Sequence, residues 1–306
     1  MTDDTQAHSL VGIGELARRT GLAVRTIRFY CDEGILEPHR SAGGHRMFDG
    51  DAATERLLLV RRLRAFGLGL GSIADVLHGK RSVDEVIAAE SARVAIELKS
   101  LAWRRASLRA VETAPPTQRT ERLVLLAAAQ DGGAAHDCLA QFWRRALAPI
   151  ARSEVDLWVY WNVPEPPDAP SVDDVVAYAE LTELATEPAM NSLVRQQFWR
   201  QQPELIRDRR GLYAEMGNLM TDVVPLISQD VRPRRGRELD RFVNAHADAR
   251  GERDSPRFRE RLLLDATDTD RRIHRYWALT AQLIGSRITV GRAHHWLYEA
   301  LAQSTK

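Results

Sequence analysis

Apolar residues near the start of the chain recur at the three- and four-residue steps of short helices. The spacing of Val24, Ile27 and Cys31 predicts a helix with one inward face. Residues 13–21 predict a second short helix just before it, which ends at Gly21. Two short helices joined by a glycine-containing turn form the helix-turn-helix pattern.

The remaining positions of the later helix face outward. They include Arg25, Arg28 and Asp32, and Phe29 lies among them. An exposed helix face with two arginines suits a nucleic-acid groove. The alternative is an ordinary charged face in contact with solvent.

A short β-hairpin is predicted directly after this helix. Gly34–Leu36 is expected to end the helix and begin the first strand, and Arg46–Phe48 to form the returning strand. Ala42–Gly44 supplies a turn whose glycines tolerate positive φ. The hairpin makes a winged helix-turn-helix a more specific prediction than two helices alone.

A longer apolar stripe runs between residues 83 and 111, over roughly eight turns of helix. Its members are Val83, Ile87, Val94, Leu98, Leu101 and Leu108. A long helix with one narrow apolar stripe needs a partner, either the same helix of a second copy or the chain's own C-terminal part. Pro115 and Pro116 are expected to end the helix, because proline lacks the amide hydrogen that a helix interior requires.

The rest of the chain is predicted to be helical, because few of its segments alternate with period two. Ser171, Thr186 and Ser255 stand near expected helix starts. The predicted helices span 119–130, 136–161, 171–186, 188–201, 203–228, 238–249, 256–266, 269–286 and 289–303.

Residues 13–77 resemble the MerR family of regulators. The resemblance lies in IGELARRTGL from Ile13, TIRFYCDEGIL from Thr26, the wing with Arg40, Gly44, Arg46 and Phe48, and RLLLVRRLRAFGLGLGSIADVL from Arg56. Cys31, Gly69 and Gly71 depart from the family's usual residues, which puts local stability in doubt. None of the three is assigned to DNA.

The resemblance implies a mainly α fold with three parts. These are a winged helix-turn-helix DNA-binding domain with a small β-hairpin wing at 10–79, a long antiparallel dimerisation helix at 82–113, and an all-α effector-binding or regulatory domain at 117–306. The exposed face and the resemblance together assign to DNA the residues Arg25, Thr26, Arg28, Phe29, Tyr30, Arg40, Gly44, His45 and Arg46. Arg25 is the candidate for reading a base.

Charge and cysteine content narrow the expected function. Residues 10–70 hold ten arginines and seven acids while the whole chain has net charge +1, so DNA affinity should depend on two copies binding together. Only Cys31 and Cys138 occur, which fits a reducing bacterial cytoplasm. Residues 80–135 contain no cysteine, so the thiolate-based metal sensing known in the family is not expected. No apolar run approaches the ~20 residues of a membrane span.

Large aromatic residues are concentrated in the C-terminal part, which contains six of the seven tryptophans. Some of them are candidates for the wall of an effector pocket, because such sites combine aromatic surfaces with a few polar groups. The leading candidates are Trp158, Tyr160, Trp161, Phe198 and Trp199. The alternative is a helical core built from large residues.

No arrangement of residues predicts catalysis or a cofactor. His295 and Glu299 lie one helical turn apart but lack a third metal ligand, and no phosphate-binding glycine loop occurs. The expected function is a dimeric bacterial regulator that binds a double-stranded promoter operator, acts with RNA polymerase, and responds to a small effector. The alternative is a constitutive DNA-binding regulator whose C-terminal domain docks a protein partner.

Overall fold

A computed structural model of the chain describes residues 10–41, 43–148, 150–200, 206–285 and 287–305. The chain divides into two compact units, Met1–Glu97 and Leu98–Lys306. Among the described residues, no helix is both long enough and apolar enough to cross a membrane.

The first unit is a small helical domain with a three-stranded sheet. Its elements are β1 (Leu10–Gly12), α1 (Ile13–Thr20), α2 (Val24–Asp32), β2 (His39–Arg40), β3 (Arg46–Asp49), α3 (Gly50–Ala65), α4 (Leu70–Leu77) and the first part of α5 (Val83–Glu112). The antiparallel sheet has the order β1-β3-β2. Leu16, Ile27, Leu57 and Ile73, which come from α1 to α4, are fully buried and form the core with Phe48 of β3.

The first strand of the predicted hairpin begins later than expected. Ile35 and Leu36 are only 1% and 3% exposed, and both donate their backbone N–H to the carbonyl of Tyr30. They therefore close the end of α2 and fill the core, and the strand starts at His39. The sequence analysis also did not anticipate β1, which is only three residues long.

The second unit is built from helices packed in two groups. Its elements are the rest of α5, a 3₁₀ turn (Pro116–Gln118), α6 (Arg119–Ala127), α7 (Gly132–Ala146), α8 (Arg152–Asn162), α9 (Val172–Thr186), α10 (Pro188–Trp199), α11 (Arg209–Ser228), α12 (Arg237–Asp248), α13 (Pro256–Leu264), α14 (Arg271–Ile284) and α15 (Val290–Ser304). Helix α9 packs against α6, α7, α10 and α14, while α15 packs against α11, α12 and α13.

The helix predicted over 136–161 is two helices, α7 and α8. The sequence places Pro149 in the gap between them, and a proline inside a helix removes an amide donor and clashes with the preceding turn. Other expected helix starts are confirmed by their caps. Ser171 forms a capping box with Asp174, and the Ser255 hydroxyl accepts the N–H of Phe258.

Two histidines are buried in the second unit, His246 of α12 and His294 of α15. Burial and the nearby Arg200 guanidinium lower the pKa of His294 to about 4. Burial, with Arg250 and Arg200 adding to it, also lowers the pKa of His246 well below its usual value. Both imidazoles are therefore neutral at neutral pH.

We expect the protein to lose stability in mild acid because of these histidines. Between pH 6.5 and 4 the unfolded state binds a proton that His294 in the folded state does not, so unfolding becomes more favourable as pH falls. For His294 alone the loss is about 2 kcal/mol between about pH 7.5 and 5. Urea unfolding of the wild type and of His294→Gln at both pH values measures the free energy of unfolding. That free energy should fall less in the variant than in the wild type. Equal losses in the two proteins would contradict this origin of the effect.

Candidate nucleic-acid interface

Helix α2 is held at a fixed angle to α1 by a glycine turn. Gly21 adopts φ 69° and donates its N–H to the carbonyl of Ala17, which ends α1. An L-residue rarely adopts that backbone conformation, so glycine is required there. Arg61 of α3 donates to the carbonyl of Thr20 at 2.7 Å and ties the turn to the core.

The outward face of α2 is the one that the spacing predicted. Arg25, Arg28 and Asp32 are exposed, and the Phe29 ring is 47% exposed. On the other side of the helix, Ile27 is fully buried. The helix therefore presents two guanidinium groups and one aromatic ring to solvent.

The wing is a two-stranded hairpin with a tight glycine turn. Arg40 pairs with Arg46 across β2 and β3, which places both arginines at the start of the wing. Gly44 has φ 77° and donates its N–H to the carbonyl of Ser41 at 2.9 Å. The Arg40 guanidinium donates to the carbonyl of Gly44 at 3.3 Å, so the turn also orients that side chain.

One groove of about 740 Å³ lies between α2, the wing and the start of α1. Five of the nine residues assigned to DNA line it: Arg28, Arg40, Gly44, His45 and Arg46. Gly12 and Gly14 also line it, and a Cβ atom at either position would meet no other atom within 4 Å. Neither was anticipated from the sequence, although two glycines beside a helix start were a usable signal.

The groove carries an excess of positive charge. Arg46 forms an ion pair with Asp32 at 3.0 Å, which fixes its direction and partly offsets its charge. Arg28 and Arg25 form no ion pair within the part of the chain that the structure describes. Free guanidinium groups beside a narrow wing are suited to phosphate oxygens, which they bind through charge-assisted hydrogen bonds.

Two residues assigned to DNA are less exposed than the assignment required. Tyr30 is only 7% exposed and belongs to the hydrophobic core of the first unit. Thr26 is half-buried. Tyr30 therefore helps to hold the recognition surface in place, and only its edge is accessible to a ligand. Cys31 is half-buried as well, and burial raises the pKa of its thiol, which disfavours the reactive thiolate.

The five aromatic residues proposed for an effector site do not lie together on one surface. Trp199 and Phe198 are 0% and 4% exposed and belong to the core, whereas Tyr160 and Trp161 are 64% and 57% exposed. Trp158 lies between these extremes and packs edge-on against Phe198, with ring centroids 5.5 Å apart. The structure therefore brings Trp158 and Phe198 together and places Tyr160 and Trp161 on an exposed part of α8.

Comparison with known proteins places the first unit in a family. The model of the "MerR HTH family regulatory protein" matches residues 12–80. The HTH-type transcriptional regulator MerD of Serratia marcescens is 33% identical over 120 residues, which cover 36% of this chain and 95% of MerD. This chain belongs to the MerR family.

Further relatives agree with the family membership. The HTH-type transcriptional regulator GlnR of Bacillus anthracis is 30% identical over 87 residues, 28% of this chain and 67% of GlnR. Nodulation protein NolA of Bradyrhizobium sp. (strain NC92) is 32% identical over 114 residues, 37% of this chain. The match spans about half of NolA, 48% of its length. No solved structure gives a significant match.

The chain thus contains the helix-turn-helix domain of the MerR family, and its relatives MerD and GlnR are named HTH-type transcriptional regulators. The family model ends at residue 80, so the long α5 and the helical second unit lie beyond it. Within the described ranges, no group of three or more His, Cys, Asp or Glu side chains is placed to hold a metal ion.

Proposed function

We propose that this MerR-family protein acts as a homodimer, binds an inverted-repeat operator within a promoter, and distorts the DNA in response to a small hydrophobic or aromatic effector. The uncovered apolar stripe of α5 carries the proposal. Its members are between 37% and 64% exposed: Val83, Ile87, Val94, Leu98, Leu101 and Leu108. Such a row of exposed apolar side chains on one helix face marks an interaction surface.

In the C-terminal part of α5, from Trp103 onward, the face opposite the stripe is buried within the second unit. Trp103, Ala106 and Ala110 are at most 5% exposed, and the Trp103 indole donates to the carbonyl of Ala129 at 2.9 Å. Successive residues of a helix are rotated by about 100°, so Leu101 and Trp103 point about 200° apart. The chain's own helices thus cover one face, which supports a second copy as the partner of the other.

Two copies joined through α5 would hold two recognition surfaces at a fixed distance. A two-fold symmetric dimer matches an inverted-repeat site, with the two α2 helices in major grooves about one or two turns of DNA apart. Bending DNA to fit such a dimer costs about 1–6 kcal/mol on elastic estimates, which additional backbone contacts offset. The distortion would align the promoter for RNA polymerase.

The second unit is the proposed receiver of the signal. It contains the aromatic cluster of Trp158, Phe198 and Tyr213, whose neighbouring ring centroids lie 5.5 to 6.5 Å apart. An effector changes transcription only if it binds two arrangements of the dimer with unequal affinity. Trp103 of α5 packs within the second unit, so effector binding there could change the position of α5 and with it the arrangement of the dimer.

A second candidate function is favoured by one observation on α8. Leu157, Tyr160 and Trp161 are all more than half exposed, and Tyr160 and Trp161 pack edge to face at 5.1 Å. Exposed aromatic patches are typical of protein-binding surfaces. Binding of purified RNA polymerase to the DNA-free protein, lost in Trp161→Ser, would favour a docking role over effector sensing.

The operator proposal is tested by selecting bound fragments from the genome that encodes the protein. The purified protein should enrich a short inverted repeat located between promoter elements. The two DNA-binding domains of a two-fold symmetric dimer require two half-sites that are related by the same symmetry. Sequencing of the retained fragments measures it. Enrichment of a single unrepeated motif, or none at all, would contradict the proposal.

A further inference from the structure

Arg200 ends α10 and points its side chain into the second unit. It adopts φ 54°, unusual for a residue other than glycine, and is only 1% exposed. Its Nη1 donates to the carboxylate of Asp268, which is equally buried and also accepts from the Gln197 amide at 3.2 Å. Among the described residues, its Nε and Nη2 have no hydrogen-bond partner.

The Nε and Nη2 atoms form the side-on fork with which arginine binds a carboxylate. Six other arginines of this chain use that fork on an aspartate or glutamate: Arg93, Arg144, Arg210, Arg241, Arg259 and Arg272. Arg241 holds Glu215 on its fork and Asp222 on Nη1 at the same time. An arginine between two carboxylates is therefore already present in this fold.

Two further buried groups also have polar atoms without partners: His294, which lies near Arg200, and Trp158, which contacts Phe198. His294 is 2% exposed, and neither of its ring nitrogens is hydrogen-bonded to any residue that the structure describes. Because burial and Arg200 lower its pKa to about 4, it is neutral and offers one N–H donor. The indole Nε1 of Trp158 is buried and has no acceptor within the described parts of the chain. The Phe198 ring lies between them, 5.6 Å from His294 and 5.5 Å from Trp158.

We propose that Arg200, His294, Phe198 and Trp158 form a binding site for an aromatic carboxylic acid. The carboxylate occupies the Arg200 fork, and the ring packs against Phe198 and Trp158. The unpartnered atoms are mostly donors, so they require a ligand with acceptor oxygens, and a carboxylate supplies two. This inference rests on the proposed effector function and names its ligand class.

The site is closed in the unliganded chain, since its polar atoms are buried. A cavity of about 230 Å³ reaches Gln197 and Asp268, the residues bonded to each other beside Arg200, and gives an approach. Side chains must move apart before the acid enters. The association rate constant is therefore expected to lie below about 10⁵ M⁻¹s⁻¹, the low end of the typical range.

The test is calorimetric titration of the full-length protein with benzoate, phenylacetate, indole-3-acetate and 2-naphthoate, each paired with its primary amide. At least one acid should bind about tenfold or more tightly than its amide. Arg200→Gln combined with Asp268→Asn, which removes both buried charges together, should abolish that difference. Trp158→Phe should weaken the acid severalfold, whereas Trp296→Phe, whose N–H already bonds the carbonyl of Val231 at 2.9 Å, should not.

Equal binding of acids and amides, or no binding by any acid, would overturn the inference. A crystal structure with a carboxylate of the chain itself or only ordered water on the Arg200 fork would overturn it as well. Failure here is distinguishable from failure of the proposed function, because operator binding is measured on the same protein. An acid that binds without changing operator affinity would uphold the site and refute its role as the effector site.

Discussion

Glutamate at both Leu98 and Leu101 is expected to convert the protein from a dimer to a monomer. The two leucines are 62% and 53% exposed in the single chain and lie on the uncovered stripe of α5. Burying each leucine in a dimer contributes about 1.5–3 kcal/mol, and the double variant removes four of them from one interface. The dimer dissociation constant should therefore rise by at least about 10⁴-fold.

Sedimentation or light scattering at micromolar concentration measures this directly. The wild type should have twice the chain mass of 34.5 kDa and the variant the chain mass alone. Ile96→Glu is the matched control, because Ile96 is 69% exposed on the same helix but about 200° away from Leu98. A dimeric double variant, or an Ile96→Glu protein that is equally monomeric, would exclude the stripe as the interface.

Replacing Arg28 and Arg46 with alanine is expected to weaken operator binding by about 10²- to 10³-fold near physiological salt. Both side chains line the groove between α2 and the wing, and a dimer loses four cations. Because each phosphate contact releases counterions, the slope of log affinity against log salt should fall by about 3–4. The variants should keep their fold, since neither side chain belongs to the core.

Fluorescence anisotropy with labelled operator over a range of salt concentrations measures both quantities. Arg253→Ala with Arg257→Ala is the charge-matched control, because both arginines are exposed in the second unit. That pair should leave affinity nearly unchanged. Equal losses in the two double variants would mean that net charge, and not the groove, controls binding.

The recognition helix was predictable because its constraint is local. Ile27 is buried and Arg28 exposed as helical spacing requires, so three-residue steps sufficed. The 7% exposure of Tyr30 depends on core residues from other elements, which helical spacing does not show. The wing's first strand was placed too early because Ile35 and Leu36 fill a core that the sequence alone does not display.

The helices of the second unit were predictable from the sequence, but the burial of their individual side chains was not. Periodicity indicates which segments are helical, yet the burial of Trp199 and the exposure of Trp161 depend on which face of each helix meets a neighbour. Pro149 was a readable signal for the break between α7 and α8. The isolated polar atoms of Arg200 and His294 were not readable, because they depend on residues distant in the chain.

Two chains, paired through α5, are expected to bind one operator together. The most direct measurement is the titration of two duplexes, one with both half-sites intact and one with a single half-site scrambled. We expect two chains per intact duplex and an affinity loss of about 100-fold or more on scrambling. One chain per duplex, with equal affinity for both duplexes, would contradict the account.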